Sequence, residues 1–142
     1  MGTMLKNCFV ISPDRAPFDK AVNDIRAERM VIKLARLGLA FAKGTGSWNG
    51  QVENSFLAQV RHPSEWRTGG RVPGAVQLLA REFEQDAILH IDRHGQARLV
   101  KAPYWYLDGW RCDVTYLDPE EIFMGDYSDF PGVRFTVPGL IP

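Results

Sequence analysis

The stretch Leu39-Ala40-Phe41-Ala42-Lys43-Gly44-Thr45-Gly46-Ser47-Trp48-Asn49-Gly50-Gln51-Val52-Glu53-Asn54-Ser55-Phe56 decides the fold. Residues 39–42 read as a strand that leads into a glycine-rich bend, and residues 52–60, with Phe56 and Val60 at even spacing, read as the strand returning from it. Three glycines let the backbone turn sharply and come close to a ligand. Trp48 offers a flat stacking surface, and Asn49 and Ser55 offer hydrogen-bonding groups beside the carboxylate of Glu53. An ordinary hairpin with a solvated glutamate has the same composition. Glu53 is therefore the place to look for chemistry, with both readings open.

Upstream, Cys8-Phe9-Val10-Ile11-Ser12 is a continuous apolar run suited to a central strand, and Pro13 to Pro17 form a turn. From about residue 18 to residue 37, Phe18, Val22, Ile25 and Ile32 recur at helical spacing, and Gly38 supplies the stop. Downstream, after a polar loop through His62-Pro63 and Gly69-Gly70, Pro73-Gly74 opens a second helix whose buried face is Val76, Leu79, Ala80 and Phe83. Residues 87–91 and 97–100 read as strands joined around His94-Gly95, and Trp110, Cys112, Val114 and Tyr116 alternate along one further strand. Asp118-Pro119-Glu120-Glu121 reads as a helix start, and a last short strand is expected near residues 133–137.

This order, β-α-β-β-α-β, predicts an α+β sandwich of the ferredoxin-like, split β-α-β type, with two helices on one face of a mostly antiparallel sheet. The other face needs cover from the C-terminal segment or from a neighbouring subunit, so self-association is expected. A chain of 142 residues, 45% hydrophobic and 24% charged, fits one domain over residues 1–142 with one core and a C-terminal extension from about residue 103. Lysine plus arginine and aspartate plus glutamate both number 17, so no net field draws the chain to nucleic acid or to an anionic membrane, nor does it read as an acidic DNA mimic. Cys8 and Cys112 lack metal-binding spacing and read as buried free thiols. His62, His90 and His94 lack a second ligand, so no metal is expected. No apolar run is long enough to span a bilayer and the N-terminus lacks a signal-peptide core, so a cytoplasmic location is expected.

Ser12-x-x-Arg15, followed by Val22-Asn23-x-x-Arg26-x-x-x-Met30-Val31-x-x-Leu34, resembles in identity and spacing the first strand and helix of the bacteriophage S-adenosylmethionine lyases, long described as S-adenosylmethionine hydrolases. The glycine bend with Val52-Glu53-x-Ser55 resembles that family's glycine, aromatic, glutamate, serine element, and Glu82-x-Glu84-Gln85-Asp86 resembles the end of its second helix. The resemblance covers roughly the first hundred residues. Trp48 stands where relatives often have tyrosine, so the role of an aromatic hydroxyl does not transfer to it.

The resemblance implies cleavage of S-adenosylmethionine to 5′-methylthioadenosine and homoserine lactone, lowering a host's methyl-donor pool in its cytoplasm and interfering with restriction and modification. It also implies a PII-like homotrimer with sites between subunits. No cofactor is implied, because S-adenosylmethionine is the substrate. Its γ carbon already carries a sulfonium leaving group, and its own carboxylate can close a five-membered lactone, so positioning and exclusion of water carry the rate. On this basis Glu53 is the catalytic residue, gripping the α-ammonium, and Ser12, Arg15, Trp48, Ser55 and Glu84 are substrate-binding candidates. A hydrolase would instead use Glu53 as a general base with a pKa raised toward neutrality.

Taken alone, Ser12 and Arg15 also suit a helix cap and a solvated cation. Asn23 and Arg26 could pair across one helix face or reach a partner subunit. Glu84 borders the apolar stripe of the second helix, with Gln85 expected to point away. Tyr104, Trp105, Tyr106 and Trp110 suit core or interface packing better than adenine stacking. A PII-like module that senses an adenine nucleotide is the competing reading; it needs no Glu53, and no lysine- and arginine-rich phosphate cradle lies near that residue. A purely structural accessory protein would leave the loop without a purpose.

Overall fold

The computed structural model describes residues 5–48, 50–59, 74–103, 109–118, 120 and 123–137. The elements are β1 (Cys8–Ile11), α1 (Lys20–Arg36), β2 (Ala40–Trp48), β3 (Gln51–Gln59), α2 (Gly74–Glu82), β4 (Ala87–Ile91), β5 (Ala97–Lys101), β6 (Trp110–Cys112), β7 (Thr115–Leu117), β8 (Ser128–Phe130) and β9 (Val133–Thr136). They form one sheet in the order β6-β5-β4-β1-β3-β2-β8-β9-β7, and every pairing is antiparallel. The expected α+β class, the β-α-β-β-α-β order and the placement of both helices on one face are all present. The polar loop expected after residue 60, Pro73 and the aromatics Tyr104 to Tyr106 lie outside the described residues, as do Pro119 and Glu121 of the expected helix start.

The alternation of side chains along a strand sorts this sheet into two faces. Phe9, Ile11, Phe56, Ala58, Ile88 and Val100 point to the helices and pack with Ala27, Met30 and Leu34 of α1 and Val76, Leu79 and Ala80 of α2, with Phe83 just beyond it. On the opposite face Cys8, Leu57, Leu89, Ile91 and Ala97 meet Phe130 and Phe135. There are thus two cores where one was expected, and the C-terminal segment covers the second face. The sheet curls to do so: β7, at its far edge, returns Tyr116 to accept a hydrogen bond at its hydroxyl from the Leu5 N–H, 2.8 Å away, just before β1. Phe130 and Phe135 stack with centroids 6.3 Å apart inside the curl.

Three sequence expectations are revised. The helical set Val22, Ile25 and Ile32 does not mark the packing face of α1; these residues are exposed, Ile25 by 59%, and the helix buries Ala27, Met30 and Leu34 instead. Helix α1 starts at the Asp19 cap, whose side chain accepts from the Val22 N–H, and ends in a Schellman turn in which Gly38, at φ +71°, and Leu39 donate to the Ala35 and Leu34 carbonyls. Residues 110–116 are not one strand. They split into β6, which extends β5, and β7, which joins β9 at the other edge.

The glycine-rich segment is also mostly strand. β2 runs through Gly44 and Gly46, pairing Gly44 with Ser55 and Gly46 with Glu53, and the chain turns only between Trp48 and Gln51, with Gly50 at φ +79°. Gly44 serves a close approach: a Cβ there would run into the Asp129 carbonyl oxygen and the Phe130 ring, because β8 lies against β2. At Gly46 a Cβ would make ordinary contacts only, with the Ser55 side chain at 3.6 Å and Ser128 Oγ at 3.8 Å. Gly44→Ala is therefore expected to destabilise the fold by roughly 1–3 kcal/mol and Gly46→Ala to leave stability within about 0.5 kcal/mol, as measured by urea unfolding; equal effects would contradict this packing of β8.

Candidate active site

A cavity of about 490 Å³ lies between the covered face of the sheet and the C-terminal segment. The pleat that sends Phe56 and Ala58 to the helices sends Glu53 and Ser55 the other way, into this cavity. Ser12 enters from the end of β1, Arg15 from the loop after it, and Glu84 from the loop after α2. Five of the six candidates, Glu53, Ser12, Arg15, Ser55 and Glu84, thus line one cavity of one chain. The sixth, Trp48, contributes a backbone position in β2, and its side chain lies outside the described residues. The far wall is C-terminal, with Tyr127, Ser128, Phe135 and Thr136.

Two loops carry much of the chemistry, and polar contacts, most of them half-buried, fix both. Ser12 is 9% exposed; its hydroxyl donates to the Asn54 carbonyl at 2.6 Å and accepts from the Asp14 N–H at 3.1 Å, so it is a loop-setting residue and not the cap of α1. Asn23 neither pairs with Arg26 nor waits for a partner: its Oδ1 accepts from the Arg15 N–H at 2.9 Å and its Nδ2 donates to the Arg15 carbonyl at 3.1 Å. Arg26 donates from Nε to the Pro13 carbonyl at 2.7 Å and from its terminal nitrogen to the Phe83 carbonyl, joining the loop after β1 to the loop after α2. Its guanidinium lies 5.2 Å from the Phe18 ring centroid and 5.5 Å from that of Phe83.

The second loop begins with a strained residue. Glu84 has φ +54° and takes the position after α2 where glycine is usual, its N–H donating to the Arg81 carbonyl and that of Gln85 to the Ala80 carbonyl. Glu84 lies beyond the helix, not on its stripe, and its carbonyl accepts from the Arg15 guanidinium. Gln85 does not point away as expected. It is 9% exposed, lines the cavity, and donates from Nε2 to the Asp14 carbonyl at 3.2 Å and the Phe83 carbonyl at 3.0 Å.

Asp14 was not among the sequence candidates. Its carboxylate lines the cavity and accepts from the Asn54 backbone N–H at 2.8 Å and from Asn54 Nδ2 at 3.0 Å. The only cue was its place at a strand end between Ser12 and Arg15. The C-terminal wall had no local cue, since the pairing of β8 with β2 joins segments some eighty residues apart. There Ser47 and Tyr127 exchange backbone and side-chain hydrogen bonds, including Tyr127 N–H to Ser47 Oγ at 2.9 Å.

The electrostatics centre on Glu53. Burial, reinforced by the nearby negative charge of Asp14, pushes its pKa up from 4.5 to about 7, while the neighbouring Ser12 hydroxyl acts in the opposite direction. Five carboxylates line the cavity, on Asp14, Glu53, Glu84, Asp86 and Asp126, against the two cations Arg15 and Lys101. Such a wall suits a positively charged ligand. Away from it, Trp110 is exposed beneath the Lys101 ammonium. Cys8 is a buried free thiol with its pKa pushed to about 12, and Cys112 is half-buried.

An α+β chain with a concave, acid-lined pocket and one strongly shifted carboxylate belongs with the small-molecule enzymes. The model of the S-adenosylmethionine lyase family matches residues 9–109, more than two thirds of the chain, and the chain belongs to this family of S-adenosylmethionine lyases. The match contains Glu53, Ser12, Arg15, Ser55 and Glu84 and stops short of the C-terminal wall. A search of curated proteins finds no match.

A raised carboxyl pKa opposes folding once the group ionises. Unfolded Glu53 releases its proton near pH 4.5 and folded Glu53 near 7, so the cost builds between those values and is complete above them. Glu53→Gln is therefore expected to stabilise the ligand-free protein by roughly 1–3 kcal/mol at pH 8 and by nothing at pH 4. Urea unfolding at both pH values measures this, and a difference independent of pH would contradict the burial of the charge.

Proposed function

We propose that the cavity binds S-adenosylmethionine and cleaves it to 5′-methylthioadenosine and L-homoserine lactone. An oxygen of the substrate's own carboxylate forms the bond to Cγ, the Cγ–S bond breaks, and its electron pair passes to sulfur, which leaves as a neutral thioether. No proton changes hands. The observation that carries this reading is Glu53, a carboxylate desolvated beside a second one, which gains a partner when a cation enters. In this role it holds the α-ammonium, leaving the substrate carboxylate unpaired, while Ser12, Ser55, Arg15 and Glu84 shape the pocket around the folded tail. The bound substrate, filling the cleft, displaces water that would resist this dispersal of charge.

The same pKa near 7 supports a second reading, hydrolysis to homoserine with Glu53 as general base. The β4-β1-β3-β2 order of the central strands supports a ferredoxin-like, PII-like core. Homotrimer formation remains part of the proposal, supported by the exposed strip of Val22, Ile25 and Ile32 on α1. In that assembly the five candidate side chains already share one protomer's cavity. The biological setting that fits is depletion of methyl donor in the cytoplasm of a phage-infected host, countering restriction and modification. Among the described residues no helix is long and apolar enough to cross a membrane.

Products decide between the two chemistries. Purified protein with S-adenosylmethionine is expected to yield methylthioadenosine with intact lactone at the earliest times, kcat/KM rising with pH through about 7 as Glu53 ionises. Homoserine alone at those times would favour hydrolysis, and no product would leave a binding module. Glu53→Gln is expected to lower kcat/KM at least a hundredfold, roughly the scale of losing one catalytic group.

A further inference from the structure

Glu53, in the role just given, holds an ammonium that S-adenosylmethionine shares with its uncharged thioether relative S-adenosylhomocysteine. That contact cannot tell the two apart. The sulfonium is the group that distinguishes the substrate, and it calls for a further negative charge. Asp14 has the right properties: it lines the cavity, its carboxylate accepts from the Asn54 N–H at 2.8 Å and Nδ2 at 3.0 Å, and its backbone is fixed by Ser12 Oγ, which accepts from the Asp14 N–H at 3.1 Å, and by Gln85 Nε2, which donates to the Asp14 carbonyl at 3.2 Å.

We propose that Asp14 is a specificity-determining residue of this cavity, a fixed second carboxylate beside Glu53 that selects a sulfonium over a neutral thioether. This rests on the S-adenosylmethionine reading of the site. Holding two like charges in one cavity is unfavourable without a ligand, since the charge of Asp14 adds to the larger effect of burial in raising the Glu53 pKa, and becomes favourable when a ligand brings two positive charges. The same device favours product release, because methylthioadenosine leaves the reaction without the sulfonium charge. The other charged groups facing Glu53 across the cavity are Arg15 from the loop after β1, Glu84 and Asp86 from the loop after α2, Lys101 at the end of β5 and Asp126 before β8. Of these and Asp14, only Asp14 contributes to raising the Glu53 pKa.

The test compares wild type with Asp14→Asn and Asp14→Ser, the second keeping a hydroxyl that can accept from the Asn54 N–H. kcat/KM for S-adenosylmethionine and the inhibition constant of S-adenosylhomocysteine are measured between pH 5 and 9 and compared at their pH-independent limits, with urea unfolding as the check on folding. Expected are a roughly tenfold loss in kcat/KM for S-adenosylmethionine, expressed in KM, an inhibition constant for S-adenosylhomocysteine within about twofold of wild type, and an acid limb moved to lower pH. Parallel weakening of both ligands in a folded variant, or an unmoved acid limb, overturns the assignment of Asp14 alone. Absence of S-adenosylmethionine cleavage by the wild type overturns the reading of the site on which it rests.

Discussion

The structure depends on one unfavourable arrangement, the Glu53 carboxylate held away from water beside Asp14. A lone ionised carboxylate in such a place is costly, and it persists only because the surrounding fold over-determines its position. Glu53 sits mid-strand with its partner Gly46 fixed across the hairpin. Asp14 is tied to the next residue, Asn54, through two donors. The Asp14 carboxylate cannot swing out to solvent without losing its contacts with Asn54. Stability is thus held back at the point where a cation is received, as expected of a site built for binding rather than for the fold.

The rest of the architecture serves that placement. The sheet alternation puts apolar residues of β3 on the helix side and Glu53 and Ser55 on the other, so one strand serves both a core and a site. Helix α1 does more than cover the sheet: Asn23 and Arg26 reach from it to hold the loop after β1, and Arg26 and Gln85 join that loop to the one after α2. The C-terminal strands then close the second face. Gly44 permits this closure by letting β8 approach β2, which gives the glycine-rich segment a packing purpose as well as a turn.

Local patterns of the sequence carried the element order, the burial of α2 and the prominence of Glu53, since strand alternation, helical spacing and a run of glycines are all short-range signals. Positions set by long-range contacts were not legible. The set Val22, Ile25 and Ile32 has helical spacing, yet α1 turns it outward because Ala27, Met30 and Leu34 fit the sheet. Gln85 lies past the end of the helix, where the left-handed turn at Glu84 reverses the direction of the next side chain, so helical spacing does not place it. Asp14 carries little local signal, because its role comes from Asn54 and Glu53, about forty residues away. The C-terminal wall lay beyond any resemblance, and its strands are three or four residues long, too short for a periodicity to register.

The central claim is that a desolvated anion on Glu53 awaits a positively charged tail. A carbon-13 NMR titration of the glutamate side-chain carboxyls, with Glu53 assigned by comparison with Glu53→Gln, measures it directly. The account predicts a midpoint of about 7 in the free protein, falling when a non-cleavable cationic analogue of S-adenosylmethionine is bound. A midpoint at the ordinary glutamate value near 4.5, unmoved by that analogue, would contradict it.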